Sequence, residues 1–94
     1  MLLNKLEMAE KFNMSIQMAR ILTDRFCAEV QITTHNKRKS GRCYRYMLDK
    51  QITENMIEYA SLLETKAKRQ CDKVKWGEAK KNLIKFKIRE FVNV

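Results

Sequence analysis

The sequence predicts a mainly α fold carrying one small β-hairpin, and three observations lead there. Only two glycines and no prolines punctuate the 94 residues, so helix meets few interruptions. Apolar residues recur at steps of three and four over most of the chain, giving way to strand-like alternation between about residues 28 and 49. The net charge of +9 is also unevenly spread. Residues 1–29 balance four bases with four acids, whereas residues 30–50 set six bases against Asp49 alone. Residues 51–65 hold three acids and no base, and residues 66–94 ten bases and three acids. Two separated basic regions suit a polyanionic partner better than a general need for solubility.

The first helix is expected from Asn4, a good N-cap, through "KLEMAEKF", with Leu6, Met8, Ala9 and Phe12 at helical spacing. Asn13 follows, one of the few non-glycine residues that tolerate a left-handed backbone. Met14 is placed to plug the core, and Ser15 to cap a second helix, "IQMARILTDRFC". That helix turns Met18, Ala19, Leu22 and Phe26 inward and shows Gln17, Arg20 and Asp24 on its other face. A helix-turn-helix needs a small residue where its helices cross, an apolar residue three later, a turn residue able to take positive φ, a plug and apolar anchors in the second helix. Ala9, Phe12, Asn13, Met14, Ala19 and Leu22 fill those slots in order.

Two strands come next, "AEVQITTH" and "CYRYMLD", joined by the polar loop "NKRKSGR". A basic hairpin directly after a helix-turn-helix reads as the wing of a winged helix-turn-helix. Lys37, Arg38, Lys39 and Arg42 would lie along a phosphate strand or in the minor groove; the plainer reading is a hairpin with a solvated tip. From Ile52 to Cys71 the helical period returns through Ile52, Met56, Tyr59, Leu63 and Ala67, with Thr53 placed to cap the start. A helix this long exceeds what one small core buries. Ile52, Met56, Tyr59 and Leu63 are therefore candidates for a homodimer interface, with packing against the first helix as the competing arrangement. Gly77 is expected to end or bend this helix, and the tail beyond it is read as helical, although Ile84, Phe86 and Ile88 also alternate like a strand. The chain thus divides into a winged helix-turn-helix region, residues 1–50, and a helical C-terminal region, residues 51–94.

Within this frame the block "EMAEKFNMSIQMARILTDRFCAEVQIT" followed by "SGRCYRYML" resembles the CaiF/GrlA-type small winged helix-turn-helix transcriptional regulators of enteric bacteria. The residues that carry the likeness are Cys27 to Val30 and Gly41 to Cys43, which match that family's first hairpin strand and its return. The likeness covers about residues 4–50 and implies a bacterial promoter-binding regulator without enzymatic activity.

On the residues themselves, the leading expectation is a sequence-specific DNA-binding transcriptional regulator. The helix from Ser15 to Phe26 would lie in the major groove, where base edges are distinguishable. Gln17 and Arg20 are the candidates for base contact, since glutamine pairs naturally with adenine and arginine with guanine. Ser15 is a candidate for phosphate contact, with the wing bases. Against this, Arg20 has Asp24 four residues on as an alternative partner. Lys80, Lys81, Lys85, Lys87 and Arg89 in the tail are either a solvated face or an extension of the DNA footprint. Two other readings stand beside it: an excisionase-like architectural protein that bends DNA, and a protein-interaction anti-activator acting through the long helix and a methionine-rich surface.

RNA is disfavoured because Tyr44 and Tyr46 read as sheet packing rather than a stacking platform. An enzyme is disfavoured because one histidine, in a loop, assembles no catalytic constellation. Cys27, Cys43, Cys71 and His35 have neither disulfide nor zinc arithmetic, so no metal or cofactor is expected, and no small-molecule ligand is evident. No apolar run approaches the roughly 18 residues of a membrane span, and the start lacks a signal-peptide pattern, so the chain is read as cytoplasmic. The expected partners are double-stranded DNA and a second copy of the chain.

Overall fold

The structure, a computed structural model, describes residues 2–29, 34–35 and 45–92, with side chains over 2–26 and 46–92. Its backbone separates into two compact units, Met1–Asp49 and Lys50–Val94. The chain is mainly helical with a small antiparallel sheet.

In the first unit, strand β1 (Leu2–Leu3) leads into helix α1 (Lys5–Lys11). Asn4 caps α1 with a reciprocal pair of bonds: its Oδ1 accepts from the Glu7 amide at 2.8 Å, and Glu7 Oε1 accepts from the Asn4 amide at 3.0 Å. A capping box of this kind satisfies two donors that the helix start leaves open, and loss of such a cap costs about 1 kcal/mol. The other end of α1 closes as a Schellman motif. The Met14 amide donates to the Ala9 carbonyl at 3.0 Å and the Asn13 amide to the Glu10 carbonyl at 3.2 Å. Asn13 takes φ 53 to make that possible, as its type predicts. One residue after Met14, Ser15 caps helix α2 (Ile16–Glu29) by accepting from the Met18 amide at 3.1 Å.

Helix α2 runs further than expected. Ala28 and Glu29, which the alternation assigned to a strand, are helical. Only Thr34–His35 of that segment is described as a strand, β2, and Arg45–Met47 forms β3. The sheet order is β1-β3-β2, both pairings antiparallel, with Leu3 opposite Tyr46 and Thr34 opposite Tyr46 on the other side. Strand β1 is an element the periodicity did not reveal. Met8, Ala9, Phe12, Ala19, Leu22 and Phe26 are buried as their spacing predicts, together with Leu3, Thr23, Tyr46 and Leu48. Leu6 departs from its expectation and is 52% exposed, because it sits on the outer side of α1. Met14 and Met18 are half-buried rather than core.

The second unit is a helical hairpin. Helix α3 covers Lys50–Lys66 and helix α4 Gln70–Lys87, followed by a π-helical turn, Ile88–Val92. Two ion pairs fix their direction. Glu64 meets Lys80 at 3.4 Å and Glu54 meets Lys87 at 3.3 Å, so α4 ascends as α3 descends, which makes the helices antiparallel. The expected single helix to Cys71 is therefore corrected to two, broken at Ala67–Arg69. Neither glycine nor proline marks the break. Packing decides it: Met56, Tyr59, Trp76, Leu83 and Phe86 are buried, at about 1.5–3 kcal/mol each. Three residues leaving the helix forgo well under 1 kcal/mol apiece in propensity.

Gly77 is also corrected. It neither ends nor bends a helix but lies buried inside α4, where the Glu64 carboxylate approaches its backbone closely. Thr53 lies buried within α3, which starts at Lys50, and so does not cap it. The tail is helical as read. Phe86 and Phe91 stack edge to face across the π-helical turn at 5.7 Å.

Candidate nucleic-acid interface

The candidate surface begins at the start of α2, and the preceding turn determines where it points. The Schellman closure of α1 and the Ser15 cap leave no free residue between the helices: three backbone bonds close α1 and its turn, and the Met18 and Ala19 amides, donating to Ser15 Oγ and the Ser15 carbonyl, open α2. At that end Ser15, Ile16, Gln17 and Arg20 are all exposed. A 100° advance per residue puts Ile16, Gln17, Arg20 and Asp24 on one face of α2, opposite buried Ala19, Leu22 and Phe26. The first turn carries no acidic side chain. Its leading amides lack acceptors within the helix and add a partial positive charge there.

The anticipated competition for Arg20 does not occur. Asp24 is taken by Lys5 of α1, Nζ to Oδ1 at 2.8 Å. Arg20 makes no ion pair with another described residue. The Lys5 pair also cancels the one acidic charge on the outward face of α2. Such an exposed pair is worth well under 1 kcal/mol to stability, so its consequence lies in the charge pattern of the face.

Sequence reasoning missed Ile16. It is 44% exposed, four residues before Arg20, and beside it Leu6, Met14 and Asn13 line a shallow groove between the end of α1 and the start of α2. Its helical spacing to Arg20 was the available signal.

Other candidates sort differently. Lys37, Arg38, Lys39 and Arg42 lie outside the described residues, as do Val30, Ile32 and Tyr44. Tyr46 is buried, as sheet packing requires. Of the four residues put forward for a dimer interface, Met56 and Tyr59 are buried in the folded chain and are corrected, while Ile52 and Leu63 are half-buried. The reason is that α3 finds its helical partner in α4. In the tail, Lys80 and Lys87 are engaged by Glu64 and Glu54. Arg89 meets Glu90 at 3.5 Å and lies over the Phe86 ring. Lys81 and Lys85 are exposed.

Cys71 is an exposed free thiol, and the described residues hold no group of three or more side chains suited to a metal ion. No described helix is long and apolar enough to cross a membrane. No family model matches the chain, and no curated protein sequence or solved structure matches it.

Proposed function

We propose that this chain is a sequence-specific DNA-binding regulator of the winged helix-turn-helix type, with α2 as the helix that enters the major groove. One observation carries the reading. Gln17 and Arg20 stand exposed on the outward face of a helix capped by Ser15, and the acid that would have claimed Arg20 is held by Lys5. The element order supports it: a strand, two helices joined by a tight turn, then two strands, with the first strand paired to the last.

In this reading Arg20 offers a bidentate fork to guanine O6 and N7, and Gln17 pairs with adenine N6 and N7. Ser15, whose Oγ already accepts from the Met18 amide, keeps its hydroxyl proton to donate to a phosphate. Ile16 packs on a thymine methyl beside them. The bases of the hairpin segment, Lys37, Arg38, Lys39 and Arg42, add sequence-independent affinity that falls with salt. The block resembling CaiF/GrlA-type regulators includes the whole of α2's outward face, which agrees with a role in transcription.

The test is a selection from fragmented genomic DNA at about 150 mM salt, with the wild type and a Gln17→Ala, Arg20→Ala double variant side by side. Enrichment of a short motif by the wild type, lost in the variant while weak salt-sensitive binding remains in both, is the expected result. Enrichment of the same motif by both proteins would remove α2 from the role of reader.

A further inference from the structure

The second unit carries its own cationic surface, in a different place from the tail lysines that the sequence singles out. Glu54 and Glu64 of α3 consume two of those lysines, Lys87 and Lys80. Of the eight bases of this unit that make no ion pair with a described residue, four gather at the hairpin tip. Lys66, Lys68, Arg69 and Lys73 fall within eight residues around the α3–α4 turn, all exposed, with Asp72 the only acid among them. None of the four makes an ion pair with a described residue. Further along α4, Lys81 and Lys85 are interspersed with exposed Val74, Glu78 and Ile84, a more mixed surface that begins beside Lys73.

We propose that the tip of the α3–α4 hairpin is a second DNA-contacting surface, which grips the sugar–phosphate backbone of the same duplex that α2 reads. This rests on the reading of α2 given above and extends it. Charge complementarity selects the partner: a run of four bases with one acid matches a phosphate ladder. From Thr65 to Lys73 no large apolar side chain is present to enter a lipid surface.

Helix α3 has 17 residues, so the tip stands about 25 Å from Lys50, a span of roughly seven base pairs. Covalent linkage to the first unit at Asp49–Lys50 makes the second contact intramolecular once α2 is bound, so weak phosphate contacts suffice. The tip contributes affinity and salt dependence, and no sequence preference.

The experiment compares a Lys68→Ser, Arg69→Ser variant with a Lys81→Ser, Lys85→Ser variant of equal charge, by anisotropy on a duplex carrying the selected motif. The tip positions tolerate the change. Lys68 lies outside both helices, and Arg69 is an N-cap without a side-chain cap bond, where serine is preferred. Each lost phosphate contact lowers the slope of log affinity against log salt by about 0.9. The tip variant should therefore lose about 1.8 in slope, so between 50 and 200 mM salt its affinity falls about tenfold less than the wild type's. Its protected footprint should shorten on one flank and its selected motif stay unchanged. The Lys81, Lys85 variant should keep the wild-type slope.

Equal slope losses in both variants would reduce the effect to net charge and overturn the proposal, as would no loss in the tip variant. An unchanged DNA slope with lost binding to phosphatidylserine vesicles would assign the tip to a membrane and overturn it too. Failure of the α2 reading shows separately, as absence of any selected motif with the wild type.

Discussion

Replacing Gly77 with alanine tests how the second unit is held together, because the packing there makes an unusual demand. A Cβ at position 77 falls 2.5 Å from Glu64 Oε2 and 3.4 Å from its Cδ, with no third atom from elsewhere among the described residues within 4 Å. The obstacle is thus the end of a flexible side chain, which can swing away. Moving it forfeits the 3.4 Å contact with Lys80, whose two side chains are about one-third exposed, at a cost of about 0.5 kcal/mol. Alanine in a helix interior gains about 0.8–1 kcal/mol over glycine. Gly77→Ala should therefore stabilise by roughly 0.5 kcal/mol, and in a Glu64→Ala background by about 1 kcal/mol. Urea unfolding followed by fluorescence of Trp76, the one tryptophan and a buried residue of α4, reads this unit directly. Destabilisation by more than about 1 kcal/mol in both backgrounds would refute the reasoning. The close approach would then be to something other than the Glu64 carboxylate.

Three further outcomes follow from the same geometry. Asn13→Gly should leave stability within about 0.5 kcal/mol, whereas Asn13→Val should cost about 1–2 kcal/mol at φ 53; thermal unfolding of both variants checks this. Met56→Ala should lower stability by about 2–5 kcal/mol without any dependence on protein concentration, because Met56 is buried in the folded chain; a concentration-dependent transition would return it to an intermolecular interface. Lys5→Ala should weaken DNA binding by releasing Asp24 toward Arg20 and the phosphates, and Asp24→Ala should restore it; unchanged binding in Lys5→Ala would show that the pair does not govern the face.

The legible parts of the sequence were those governed by local chemistry. Asn4 caps α1, Asn13 takes the left-handed turn, and Ser15 caps α2. Each of these depends on residues within a few positions. What escaped depends on distant partners. The break after Lys66 carries no local signal because it is imposed by the stripes of Met56, Tyr59, Trp76, Leu83 and Phe86 seeking each other. Gly77 looked like punctuation and is a point of close approach to Glu64, thirteen positions away. Strand β1 is too short to show alternation and exists through its pairing with β3. At the candidate interface, the exposure of Gln17 and Arg20 was readable from helical phase alone. That Asp24 belongs to Lys5 was not, since that pair joins two helices.

The most direct test of the central claim is a base-analogue cycle on a selected site. Each guanine is replaced in turn by 7-deazaguanine, which lacks the N7 acceptor, and affinity is measured for the wild type and for Arg20→Ala. The expected result is one position where the analogue weakens the wild type by about tenfold and leaves Arg20→Ala unaffected. Equal losses in both proteins at every guanine would contradict it, and would mean that Arg20 reads no base.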